Sequence, residues 1–287
     1  MRFYTLAKVL LLSILLTGCD SKEDNSELNL EATEFEEVDS ATSNETEETD
    51  SSPVDISAHP IYSKFENIID IYHDTNTDEI VIQTKDLPNH GTPFYPDNDP
   101  LYEEYNGTNE NFSTVISLGG STIDVELSEQ DYSFRIPVSP LEDLSHQSTT
   151  GGPIGITRNG IIIYNQYNGA GNLLDDLEFN NTDQYNGHPS PGMESNSGPY
   201  HHHLEPLWIT STYGNEALIG VLRDGFPIYG SYENGAEILS DDLDEYHGHL
   251  HETEDYPSGV YHYHTTSDPP WINGGAYWGS PGTVTDN

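Results

Sequence analysis

One stretch of this chain is written twice, and the two copies restrict the folds open to it more than any other feature. The first copy runs from Asp183 through Tyr185 to Gly187-His188, then reaches Tyr200-His201-His202-His203. The second runs from Asp244 through Tyr246 to Gly248-His249 and reaches Tyr261-His262-Tyr263-His264. Matched positions are offset by 61 residues, and nine of the 13 histidines lie in or beside the copies. An upstream element repeats as well: Gly155-Ile-Thr-Arg158-Asn159-Gly160, ending at Tyr164, matches Gly220-Val-Leu-Arg223-Asp224-Gly225, ending at Tyr229, at an offset of 65. Asn-Gly and Asp-Gly between apolar residues are strong hairpin signals. Each copy therefore predicts a hairpin, a loop, a Gly-His turn and a His-x-His strand. The expected fold is mainly β: two tandem-duplicated units, at about 155–210 and 220–270, packed about a pseudo-twofold.

Further strands are expected before the repeats. Residues 79–83, 113–117, 121–127 and 132–136 are short β-branched or aromatic runs between Gly, Pro, Asn and Asp. Helix signals are scarce, and the polar residues fall into long loops.

The ends of the chain carry a different message. Arg2 and Lys8 flank an apolar run, Val9 to Leu16, which suits a secretory signal and is too short to span a bilayer as a mature helix. It closes on Leu16-Thr17-Gly18-Cys19, which resembles the bacterial lipoprotein cleavage box. The resemblance implies a signal peptide over 1–18 and lipidation of Cys19, the only cysteine. Residues 20–57 hold 14 acids against one base, Lys22. Such a segment cannot bury enough apolar surface to offset its ordering entropy, so 19–57 reads as a lipidated cysteine plus a disordered acidic tether. The expected location is the bacterial cell envelope, lipid-anchored and facing the periplasm or the outside. The folded domain is expected over 58–287.

That domain holds 36 acids and five bases, Lys64, Lys85, Arg135, Arg158 and Arg223. Nucleic acid is excluded as a partner, because too few cations are present to neutralise phosphates. Cations are favoured, although most of the acids read as a solvated surface. Arg158 and Arg223, one in each hairpin, either neutralise a carboxylate or bind a ligand. With no thiolate in the domain, iron–sulfur clusters and zinc fingers are out. Nucleophile elbows, phosphate loops and dinucleotide fingerprints are missing from the sequence.

Alternate residues of a strand share a face, so His201 projects with His203 and His262 with His264. His188 and His249 can close each set from a turn. Zinc and copper accept imidazole readily, and three nitrogens leave a position for water or substrate. Asp183 and Asp244 are candidates for a fourth ligand or for fixing an imidazole tautomer. Tyr200, Tyr261 and Tyr263 point the other way and read as packing. His202, where the second copy has a tyrosine, reads as exposed, with an extra ligand as the alternative. The competing reading is that histidines and aromatics simply pack. The copies either share one site or make two.

Gly259-Val-Tyr261-His262-Tyr263-His264, the upstream Gly-His and Asp224-Gly225-Phe-Pro-Ile-Tyr229-Gly resemble the YHYH-domain proteins. Leu87-Pro88-Asn89-His90 and the run Tyr132 to Pro137 extend the resemblance over roughly 65–280. It implies Asp244, Gly248, His249 and Tyr261 to His264 as family positions, adds His90 as a metal candidate, and implies no particular reaction. The chain departs from it at Tyr246, where relatives often have cysteine, and at His202.

Three functions are open on this basis. The first is a membrane-tethered extracytoplasmic protein that binds, buffers or delivers copper or zinc. The second is a metal-dependent enzyme, a hydrolase or copper oxidase, with Glu205, Asp183 or Asp244 as general base. The third is an adhesion or carbohydrate-binding module with Trp208, Trp271 and Trp278 as stacking platforms.

Overall fold

The computed structural model describes Ile56 and residues 59–149, 151–191 and 195–287. The signal peptide, Cys19 and, apart from Ile56, the acidic tether lie outside the described residues. No helix among the described residues is long and apolar enough to cross a membrane.

The protein is mainly β, built on an eight-stranded mixed sheet with a four-stranded antiparallel sheet packed against it. From one edge of the large sheet the strands run Gly248–His251, Val260–His264, Pro227–Tyr229, Leu218–Leu222, Gly155–Thr157, Ile162–Ile163, Tyr200–His202 and Gly187–Pro189. The pairing scheme reads the same inward from either edge. A Gly-His strand lies antiparallel to a His-x-His strand, which lies parallel to the second strand of a hairpin. The halves meet where the two first hairpin strands pair antiparallel, with Ile156 opposite Val221. Gly155 and Gly220 make that meeting close. A Cβ on Gly155 would come within 2.6 Å of the Val221 carbonyl oxygen, and one on Gly220 within 2.1 Å of that of Ile156.

Both hairpins turn through three residues. Thr157 N–H donates to Ile161 O and Leu222 N–H to Phe226 O, with Gly160 (φ 82°) and Gly225 (φ 87°) in the left-handed region. This is the loop in which a type I turn ends on a left-handed glycine.

The smaller sheet orders Asp70–Asp74, Glu79–Thr84, Tyr132–Pro137 and Thr283–Asp286. Ile80, Ile82, Phe134 and Ile136 from it interlock with Ile156, Ile162 and Val221 of the large sheet, all essentially fully buried. Each such side chain contributes about 1.5–3 kcal/mol relative to exposure, so apolar burial joins the sheets. Because the C-terminal strand pairs with Tyr132–Pro137, the segment before Gly151 is part of the same core. The opposite face of the large sheet is covered by the helix Leu207–Tyr213 and by the segment carrying Ile272 and Tyr277.

Candidate metal centres

The local geometry of each histidine unit starts at an aspartate. Asp183 Oδ1 accepts the backbone N–H of Tyr185 (2.8 Å) and Gly187 (3.1 Å), closing a turn in which Asn186 is left-handed (φ 61°). Asp244 does the same for Tyr246 (2.9 Å) and Gly248 (3.2 Å), with His247 left-handed (φ 74°). The tyrosine that opens each His-x-His strand then reaches across the turn. Tyr200 donates to Asp183 at 2.7 Å, and Tyr261 to Asp244 at 3.0 Å. The glycine before the histidine makes room: a Cβ on Gly187 would meet the Tyr200 hydroxyl at 2.2 Å, and one on Gly248 that of Tyr261 at 2.5 Å. Aspartate, glycine and tyrosine thus form one clamp that aims the next histidine.

Strand register completes the sets. His188 stands directly opposite His201, and His249 opposite His262. His203 and His264 lie two residues along and share that face. The result is two groups whose ligand atoms converge: His188, His201 and His203, and His249, His262 and His264 joined by Glu233. Each group sits toward its own edge of the large sheet, with four strands between the two His-x-His strands. They are two sites.

In the first group, His201 Nε2 lies 3.0 Å from His203 Nε2. Each Nδ1 faces an oxygen: Pro199 O at 3.1 Å for His201, Asn165 O for His203, and Asn181 Oδ1 at 3.2 Å for His188. The Asn181 amide is oriented by its own Nδ2 donating to Ser113 O at 2.8 Å, so its oxygen must face the imidazole. Oxygens that only accept place the proton on Nδ1 and leave three bare Nε2 lone pairs pointing together. His188 Nε2 is buried without a hydrogen-bond partner; Glu178 Oε2 lies 3.5 Å away.

In the second group, His262 Nε2 is 3.1 Å from both His249 Nε2 and His264 Nε2. Val260 O (3.0 Å) and Gly230 O (2.7 Å) take the Nδ1 protons of His262 and His264. Glu233 Oε1 lies 3.5 Å from Nε2 of both His249 and His262, and accepts from His251 at 2.9 Å.

Burial lowers the pKa of all six imidazoles: well below the ordinary value for His188 and His201, to about 4 for His203 and His262, and in the same direction for His249 and His264. They are neutral at pH 7, the form that ligates metal. Burial works against ionisation of Glu233, but His249 and His251 outweigh it and hold its carboxyl below the ordinary range. Two imidazoles on one tetrahedral zinc, with bonds near 2.0–2.1 Å, place their nitrogens about 3.3 Å apart. Separations of 3.0–3.1 Å are close to that, and the all-nitrogen and nitrogen–carboxylate donor sets suit zinc or copper.

The other candidates stand outside both groups. Asp183 and Asp244 are committed to the turn and the tyrosine, and Asp183 also accepts from Thr92 at 2.6 Å. They act on the backbone rather than on an imidazole tautomer. His90 stacks on Trp208 and meets Tyr185 edge-on, and belongs to neither set. His202, expected at the surface, is buried, because its Nδ1 bonds Asn186 O at 2.9 Å and carries the imidazole under the turn. Tyr263 donates to Asp224 at 2.7 Å. Among the described residues Arg158 and Arg223 pair with no carboxylate: Arg223 donates to Gly282 O, and Arg158 lies over the Tyr213 ring. Glu205 is in neither group. Trp208, Trp271 and Trp278 are engaged internally, on His90, Phe179 and Tyr261.

Sequence reasoning missed Glu233 and Glu178. Glu233 sits in a small hairpin, Tyr232–Glu233 with Ala236–Glu237, turned by Asn234-Gly235. Glu178 comes from the short helix Asp176–Phe179. Neither position has a repeat counterpart, so the offset that exposes the histidines hides both carboxylates.

Fold and site together define a mainly β protein with two three-histidine clusters at separate places on one mixed sheet. The YHYH protein family matches residues 133–239 and 233–276, and the chain belongs to that family. Comparison with curated proteins and with solved structures returns no match.

Proposed function

We propose that this chain is a metal-binding protein with two zinc or copper sites, one at His188, His201 and His203, the other at His249, His262, His264 and Glu233. One observation carries the reading. Carbonyl and amide oxygens hold the Nδ1 protons of five of the six imidazoles, all but His249, so Nε2 lone pairs converge at 3.0–3.1 Å inside the protein. A buried acceptor facing another acceptor forfeits about 1–3 kcal/mol of hydrogen bonding. A single proton relieves only one such pair, whereas a cation relieves all three nitrogens. Packing alone gives no reason for this tautomer pattern.

The signal-like start, Leu16-Thr17-Gly18-Cys19 and the acidic segment after it support a lipid-tethered, extracytoplasmic placement. There the protein would buffer or deliver its metal. A second reading, a metal-dependent enzyme, draws support from the clefts: His262, His264 and Glu233 line one of about 710 Å³, and His188 and Glu178 line another of about 440 Å³. A metal there would act as a Lewis acid or lower the pKa of a bound water.

The deciding experiment is metal analysis by plasma mass spectrometry of the intact chain, purified in detergent without a histidine tag and dialysed after loading with zinc or copper. Two equivalents per chain are expected. A chain that retains neither metal would overturn the reading.

A further inference from the structure

Carboxylates outnumber cationic side chains 36 to five in the folded domain, and four of the five cations are matched. Lys64 lies 2.6 Å from Asp255, Lys85 2.7 Å from Glu129, and Arg135 3.0 Å from Asp74, while Arg223 donates to Gly282 O at 2.6 Å. Arg158 has no ion pair and no side-chain hydrogen bond among the described residues, and its Nε is buried without a partner. Its guanidinium rests 3.8 Å from the centroid of the Tyr213 ring. Scarcity of acids cannot explain this. The turn at Arg158-Asn159-Gly160 holds the guanidinium where no carboxylate among the described residues forms an ion pair with it.

That place is the wall of the 710 Å³ cleft onto which His262, His264 and Glu233 also open. The carboxylates nearest the chemistry there are already engaged. Asp255 binds Lys64 and accepts from Tyr229 at 2.9 Å, Glu216 accepts from Gly235 N–H at 2.6 Å, and Glu233 faces the histidines. The first cluster has no such neighbour: its cleft, about 440 Å³, carries Ile116, Leu118 and Leu177 and no cationic side chain.

We infer that Arg158 recognises an oxyanion, a carboxylate or a phosphate, on a small ligand whose other donor reaches the metal of the second cluster. The inference rests on the metal reading above. A planar guanidinium with free donors is the side chain best shaped for either group. Five carboxylates and two cations line the cleft, so an anion is accepted only once the metal adds its positive charge. The two clusters therefore differ in what lines their clefts: Arg158 and Lys64 stand on the wall of the second, and no cationic side chain on that of the first.

The test is calorimetric titration of the zinc-loaded intact chain with inorganic phosphate and, separately, with succinate, metal content being measured on the same samples. The loaded wild type should bind one of the two, and which one binds identifies the oxyanion. The metal-free chain should bind neither. Arg158→Gln should keep both metal equivalents and weaken binding roughly tenfold or more, the worth of one charge-assisted hydrogen bond. Arg158→Lys should recover part of the loss. A loaded wild type that binds neither anion, or an Arg158→Gln chain that binds as well as wild type, would overturn the inference and leave the metal reading standing. Loss of metal in Arg158→Gln would assign the residue to the fold and overturn it too. A wild type that takes up no metal would remove both readings, and the metal assay reports that separately.

Discussion

Five of the six imidazoles, all but His249, are aimed by what their Nδ1 atoms touch. Val260 O and Gly230 O fix His262 and His264, so removing one ring removes a ligand without releasing its neighbours. His264→Ala should lower bound metal from two equivalents to one, read by mass spectrometry, and His203→Ala should do the same at the other site. The double variant should bind none. The aspartates predict an asymmetry. Asp183 is buried and accepts from Thr92, Tyr200 and two backbone N–H groups, whereas Asp244 is exposed. Asp183→Ala orphans several buried donors and should cost about 3–5 kcal/mol in urea unfolding, while Asp244→Ala should cost about 1 kcal/mol, since water replaces the lost acceptor.

Strands and turns determine whether three rings can meet at all. Register puts His188 opposite His201 and His249 opposite His262, and the glycine before each turn histidine lets a tyrosine cross. Gly248→Ala places a methyl group against the Tyr261 hydroxyl and against His262 O, 2.6 Å from its Cβ. Relief of that contact must shift the tyrosine or the paired strand. The expected cost is about 1–3 kcal/mol, together with weaker metal retention at the second site and unchanged retention at the first. Measuring each site in the background of the other's His→Ala variant checks this. The period-2 pattern of His-x-His and the Asn-Gly and Asp-Gly turns were legible in the sequence, because both are set within a few residues. The carboxylates of Glu233 and Glu178 were not, since segments that differ between the two copies, the hairpin at 232–237 and the helix Asp176–Phe179, deliver them.

Across the whole molecule, buried histidines set the response to acid. Burial lowers His90, His203, His247 and His262 to about 4 and His202 to about 3. Between about pH 4 and 6.5 the unfolded chain protonates these rings and the folded chain does not, so each contributes stability that grows as pH rises, by up to about 1.4 kcal/mol per pH unit. Asp183 and Asp224 are raised by burial to about 6 and act oppositely, losing stability as pH rises toward 6. Burial raises Asp86 and Glu178 too, and lowers His59, His188, His201, His249 and His264, so ten histidines outweigh four carboxylates. The melting temperature of the metal-free chain should fall on acidification from pH 6.5 to 4.5, and a flat or rising profile would contradict the burial described here. Bound metal should protect down to the pH at which protons displace it.

What the sequence determined by itself was local. It set the mainly β character, the hairpins, and the pairing of histidines two apart on one strand face. These follow from backbone sterics and from the alternation of side chains, which act over a handful of residues. What only the tertiary structure decided was non-local. The order of eight strands separates the two histidine clusters, the burial of His202 removes it from the surface, and the N-terminal strands join the core through Thr283–Asp286. The cleft that brings Arg158 beside His262 and His264 belongs to the same class. Those arrangements depend on which strands pair and which loops fold over them, and the energy that chooses is apolar burial between distant segments, which leaves no mark on the spacing of any one motif.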